Sequence, residues 1–225
     1  MTAKIPTGAA FLDEFFGGGY DANIVTTIYG PSGSGKTNLC LLAAIEIAKQ
    51  GKKVLFLDTE GGISVERIAQ ICGNYEELLP QIIFFNSYTF EDQKEIIAQL
   101  RDLINERIGL IVVDSISMLY RVELGKNDEV YDTNAALGRQ IAILVEIARK
   151  KNIPVLVTTQ VYSDFDRRDQ VKMVGGDLLR YGSKCLLELQ KFNHAHGLTL
   201  RKHRSLPEGK ECRFKIVQKG VEKVI

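Results

Sequence analysis

Short runs of β-branched and aliphatic residues alternate along this chain with longer stretches whose apolar residues recur every three or four positions. The first kind reads as strands buried on both faces, the second as helices with one inward face. Ile24–Tyr29 (IVTTIY), Val54–Leu57, Ile82–Phe85, Leu110–Val113 and Val155–Thr159 are of the first kind. Thr37–Gln50, stopped by Gly51, Phe90–Glu106 and Asn134–Lys151 are of the second. Val65–Cys72 and Tyr75–Leu79 predict shorter helical pieces. Such alternation predicts an α/β fold with a mostly parallel sheet flanked by helices. The C-terminal part breaks the pattern. Ser183–Gln190, Gly197–Lys202, Arg213–Val217 and Val221–Ile225 are short runs between turn residues, and they predict antiparallel strands added to one edge. No repeat, low-complexity tract or flexible linker divides the chain, so one domain over 1–225 is expected.

Composition changes this picture little. The chain has 225 residues, 45% hydrophobic and 25% charged, as an ordinary globular protein does. No apolar run reaches the roughly 18 residues that a membrane span needs. The N-terminus, MTAKIPTGAAFLDEFF, lacks the apolar stretch of a secretory signal. Cys40, Cys72, Cys185 and Cys212 are scattered, which fits core thiols in a reducing compartment rather than a zinc site or disulfides. The expected location is the cytoplasm, beside the nucleoid.

Charge matters through its distribution. The net value is +1, but residues 184–225 hold ten Lys/Arg against four Asp/Glu, and the rest of the chain is acidic. That asymmetry reads either as a basic contact face or as a solvated strand surface.

The chemistry begins at Gly30-Pro31-Ser32-Gly33-Ser34-Gly35-Lys36-Thr37, which follows a strand and opens a helix. Glycines let successive N–H groups turn inward as an anion nest, and the helix N-terminus adds partial positive charge. Lys36 is placed to reach the β- and γ-phosphates of a nucleotide, and the Thr37 hydroxyl to bind Mg²⁺. Asp114 ends the apolar strand LIVVD, where a carboxylate supports the Mg²⁺ shell. Glu60 follows another strand in FLDTEGG and is a candidate to activate the attacking water; Asp58 on the same turn is a rival. Gln160 ends the strand VLVTT at the same sheet edge and could sense the γ-phosphate. By themselves Glu60 and Gln160 read equally well as surface residues.

These motifs together resemble the RecA-type recombinase core. GPSGSGKT, FLDTEGG, LIVVDS, VTTQV and Val174-Gly175-Gly176 occur in the family's order. Ile5-Pro6-Thr7-Gly8 looks like its opening segment, and Leu206-Pro207-Glu208 like its turn between terminal strands. The match covers nearly the whole chain. The resemblance implies a RecA-like P-loop NTPase core. It implies ATP and Mg²⁺ as cofactors, Lys36, Glu60 and Gln160 as catalytic residues, and Thr37 and Asp114 at the metal. It also implies two DNA loops. The first would run from Tyr120 to Thr133, with Arg121 and Lys126. The second would lie between Gln160 and Gly175, with Tyr162, Phe165, Arg167, Arg168 and Lys172. Rings and cations in one stretch suit single-stranded DNA, although Asp164, Asp166 and Asp169 dilute the charge.

The family pattern is also departed from. RadA-type recombinases carry a helical DNA-binding domain and a polymerisation segment ahead of the core, whereas here the match begins by Ile5. Phe192-Asn193-His194-Ala195 imitates the polymerisation motif and is read as chance. Lys202-His203-Arg204-Ser205 stands where the recombinases cap a neighbour's ATP, with Arg204 as a substitute cation. His194, His196 and His203 are read as surface residues. The expectation is an accessory protein of DNA repair and homologous recombination. It would bind ATP, bind DNA modestly, hydrolyse ATP weakly and assist a RadA-type recombinase. The alternatives are a strand-exchange ATPase and a KaiC-like regulatory ATPase that forms rings.

Overall fold

The apolar runs become the middle of a sheet. The structure, a computed structural model, describes residues 3–125, 130–163 and 171–224. A short pair, β1 (Lys4–Ile5) and β2 (Tyr20–Asp21), brackets helix α1 (Ala10–Phe16). Then follow β3 (Val25–Tyr29), α2 (Lys36–Lys49), β4 (Lys53–Asp58), α3 (Val65–Ile71), α4 (Tyr75–Leu78), β5 (Ile82–Asn86), α5 (Phe90–Leu103) and β6 (Ile108–Asp114). Helices α6 (Met118–Leu124) and α7 (Val130–Lys151) lead to β7 (Val155–Thr159). A small hairpin, β8 (Val161–Ser163) and β9 (Val171–Met173), precedes α8 (Gly176–Gly182). The chain ends in β10 (Cys185–Lys191), β11 (His196–His203), β12 (Glu211–Val217) and β13 (Gly220–Val224).

Among the described residues the main sheet has nine strands, ordered β13-β12-β11-β10-β3-β7-β6-β4-β5. Its central strands pair parallel, and β10, β11, β12 and β13 pair antiparallel with one another. One sequence expectation needs correcting here. The first tail strand, β10, is parallel to β3, with Cys185 opposite Thr26. Helix α8 returns the chain to the start of the sheet, so β10 enters in the direction of β3, and only the following hairpin reverses it.

Successive strand residues point to opposite faces. Val54 and Phe56 therefore pack with α1, α2, α3 and α4, while Leu55 and Leu57 pack with α5, α6, α7 and α8. Both faces are covered, which is why the strands read as unbroken apolar runs. Cys40, Cys72 and Cys185 are buried thiols, and Cys212 is partly buried.

Boundaries moved for local reasons. Helix α5 begins where Thr89 and Asp92 form a reciprocal capping box. It stops at Leu103, short of the expected Glu106, because the Asn105 carboxamide accepts the Arg107 N–H at 3.0 Å in a turn. Helix α1 was missed, though Leu12, Phe15 and Phe16 share a buried stripe and Gly17 supplies the left-handed stop at φ 64°. The first expected DNA loop is largely helical: Tyr120 and Arg121 lie in α6, and Val130–Thr133 opens α7. No described helix is long and apolar enough to cross a membrane.

Candidate functional site

The C-terminal ends of β3, β4, β6 and β7 converge on one crevice, where open parallel sheets place ligands. The phosphate-loop segment follows β3. Gly33 and Gly35 take left-handed φ of 70° and 101°. A Cβ on Gly30 would stand 2.4 Å from the Leu189 carbonyl oxygen, so the loop's close approach to β10 requires glycine there. The Lys36 ammonium donates to the Gly30 and Pro31 carbonyls at 2.9 and 3.0 Å. Burial lowers its pKa, while Glu60 and Asp114 pull it back up. The Ser34 hydroxyl is buried without a partner.

Asp114 is 4% exposed. Its carboxylate accepts the Thr158 hydroxyl from β7 and the Thr37 hydroxyl from the start of α2. Burial raises its pKa, those hydroxyls oppose the rise, and Glu60 and Asp58 add to it. A buried carboxylate beside the Thr37 hydroxyl is a group that a bound cation would stabilise in its charged form. Its partner is a hydroxyl oxygen, so the donor set is hard and suits Mg²⁺ rather than a softer ion. A glycine cradle with an unpartnered buried hydroxyl, beside a hydroxyl–carboxylate pair, fits a nucleotide phosphate chain with its magnesium.

The two rival acids separate cleanly. The Asp58 carboxylate is buried and accepts the Glu60 and Gly61 N–H groups at 3.0 and 2.8 Å, so it builds the turn. Glu60 is exposed at the crevice. One of its oxygens accepts from the Ser115 hydroxyl at 2.7 Å and from the Gln160 amide at 3.1 Å. Sequence reasoning proposed Glu60 and Gln160 separately; the fold joins them across β7, β6 and β4. Thr59 completes the link, donating to the Ser115 carbonyl at 2.7 Å and accepting its N–H at 3.0 Å.

The DNA-loop candidates are less gathered. Tyr162 on β8 and Lys172 on β9 are cross-strand partners. With Tyr29, Asp177 and Arg180 they line a cavity of about 360 Å³. Arg121 is exposed on α6. Lys126, Phe165, Arg167 and Arg168 lie outside the described residues.

Arg204 is not a free cation. It donates to Asp21 at 2.9 Å and to Asn23 at 2.9 Å. His194 is exposed, as the surface reading has it, but His203 and His196 depart from that reading. The His203 side chain is only 3% exposed, 3.5 Å from Asp21, and His196 stacks on Phe214 at 5.3 Å. The reason is that β11 runs inside the sheet, with strands on both sides. Phe192–Ala195 is the β10–β11 turn, closed by the Phe192 N–H donating to the Ala195 carbonyl at 2.9 Å.

Arg67 was missed altogether. Its guanidinium reaches Asn38, next to Thr37, at 2.8 Å, and the carbonyls of Val217, Gln218 and Gly220 at 3.0, 3.1 and 3.4 Å. It ties the start of α2 to the β12–β13 turn. No local signal announces this, since the three carbonyls it binds are backbone groups about 150 positions away.

Fold and site define a RecA-like P-loop nucleotide-binding protein. The Rad51 family profile matches residues 1–224. The DNA repair and recombination protein RadB of Methanococcus maripaludis strain C7 is 44% identical over 213 residues, covering 94% of this chain and 97% of that one. The protein of the same name from Methanobrevibacter smithii is 42% identical, covering 97% and 95%. The crystal structure of the RadB recombinase superposes with a TM-score of 0.83 at 36% identity, covering 98% of this chain and all of that one. The chain belongs to the Rad51 family.

Proposed function

We propose that this chain is an ATP- and DNA-binding accessory protein of DNA repair and homologous recombination. In this reading it is a single ATPase core that assists or regulates a RadA-type recombinase and does not itself exchange strands. The observation that carries the nucleotide part is the convergence of Lys36, Thr37, Asp114, Glu60 and Gln160 on one sheet edge. The recombination part is supported by near full-length similarity to proteins named for DNA repair and recombination.

Each residue then has a task. A bound ATP would supply the phosphoanhydride bond and Mg²⁺ would shield its charge. Lys36, now on the Gly30 and Pro31 carbonyls, would hold the phosphates. Thr37 and Asp114 would hold the metal. Glu60 takes the proton of the attacking water. Gln160 bonds both to Glu60 and, through its carbonyl, to the Val174 N–H at 2.9 Å. Its position couples the acid to the β8–β9 hairpin, the stem of the second DNA-loop candidate. Hydrolysis is weak in this reading because Arg204, the substitute cation, is already paired. A well-placed cation of that kind raises phosphoryl-transfer rates about 10³–10⁵-fold.

The test measures ATP binding and turnover of the whole chain, with and without single-stranded DNA and an added RadA-type recombinase. Wild type is expected to bind ATP with Mg²⁺ and turn over slowly, and Lys36→Ala to lose binding. Equal nucleotide affinity in that variant would refute the loop assignment. Efficient strand exchange by the chain alone would refute the accessory role.

A further inference from the structure

The wall behind the phosphate loop is built by the C-terminal strands, and it carries charge of its own. Lys191 ends β10 and pairs in register with His196 at the start of β11. That end of the hairpin lies against the loop. A Cβ built on Gly33 would stand 3.2 Å from the Lys191 Nζ, and 3.9 and 4.0 Å from its Cε and Cδ. The glycine thus leaves room for the lysine stem to lie along the loop backbone. Lys191 is exposed and makes no hydrogen bond or ion pair among the described residues.

His196 fixes the hairpin to the loop. Its ring stacks on Phe214 with an interplanar angle of 24° and sits beside the Ser34 backbone, while its Nδ1 is buried without a partner among the described residues. Burial lowers its pKa, the neighbouring Lys191 charge lowers it further, and the Ser34 backbone opposes the fall. The hairpin therefore brings one structural contact and one uncommitted positive charge to the loop.

Charge balance gives that lysine a task. A fully ionised nucleoside triphosphate carries about four negative charges, of which Mg²⁺ offsets two and one lysine a third. Arg204 is held by Asp21 and Asn23 and does not supply the remainder. We infer that Lys191 is a second phosphate-binding cation, delivered in cis by the β10–β11 hairpin, that raises affinity for nucleoside triphosphates. This rests on the proposed reading of Gly30–Thr37 as a nucleotide site. Because Lys191 stays hydrated at the surface, its contribution is to binding through the field it sets up around the loop, and it weakens with salt.

The experiment titrates the whole chain with a fluorescent ATP analogue and Mg²⁺ at low salt, comparing wild type with Lys191→Arg, Lys191→Gln and Lys191→Glu. Lys191→Arg is expected to bind within about 1.5-fold of wild type, and Lys191→Gln about two- to five-fold more weakly, as for one exposed charge pair. Lys191→Glu is expected to bind more weakly still, and the spread should shrink at high salt. Thermal melts confirm that all four fold. Equal affinities across the series overturn the inference, as does equal weakening in Gln and Glu, which would mean packing rather than charge. Lys36→Ala in the same assay tests the loop separately. If wild type binds no nucleotide, the nucleotide reading fails and takes this inference with it. If wild type binds and only Lys36→Ala matters, the inference fails alone.

Discussion

Phe214→Ala tests whether the antiparallel strands are part of the nucleotide site or merely an edge. Phe214 lies on β12 and is 0% exposed. One side of its ring stacks on His196. Its Cε2 and Cζ would lie 3.7 and 3.8 Å from a Cβ on Gly35, so the ring backs the phosphate loop directly. Truncation removes a fully buried aromatic ring and leaves a cavity under Gly35. Such changes cost about 3–5 kcal/mol. For a chain of this size that is a fall in melting temperature of about 6–20 °C, or in urea midpoint of about 1–2 M. A domain near the middle of the ordinary stability range, about 10 kcal/mol, stays folded at room temperature. The second consequence is local. With its support gone the loop loses its fixed shape, so the rise in melting temperature that Mg²⁺ and ATP give should shrink. Phe214→Leu refills most of the volume and should keep both properties near wild type. The assay is urea unfolding followed by circular dichroism, with and without ATP and Mg²⁺. A midpoint shift below about 0.3 M for Phe214→Ala would refute the packing argument. A full stability loss with an unchanged nucleotide effect would refute the link to the loop.

Two further variants probe the site. Glu60→Gln keeps an acceptor for Ser115 but removes the base, so turnover should fall about 10²–10⁴-fold with ATP affinity little changed; turnover kept in that variant would return the role to another group. Arg67→Ala frees the Val217, Gln218 and Gly220 carbonyls, should cost about 1–2 kcal/mol, and should speed amide hydrogen exchange across 217–224; unchanged exchange there would show that the turn holds itself.

Much was legible in the residues because the forces there are local. Gly30–Thr37 announced itself, since a loop that wraps a phosphate needs glycines, a lysine and a hydroxyl at fixed spacing, and glycine takes the left-handed φ of Gly33 and Gly35 without strain. The central strands were legible because burial on both faces leaves no room for polar residues. Asp114 was visible as the first carboxylate after such a run. The co-linear motif set then carried the RecA-like fold, which the superposition on the RadB recombinase bears out.

What the sequence left open was decided by long-range geometry. Asp58 rivalled Glu60 on paper. The turn spends Asp58 on the Glu60 and Gly61 N–H groups and leaves Glu60 facing Gln160, one hundred residues away. Arg204 looked like a spare cation until the fold set it against buried Asp21. His196 looked like a surface residue until β10 paired parallel to β3 and carried the hairpin to Gly33 and Ser34. The sequence alone determined the chemistry of the phosphate loop and the layering of the core, because both depend on residue type and short-range period. Only the tertiary structure decided which acids and cations remain unpaired at the crevice, because pairing depends on partners that the chain brings together from distant positions.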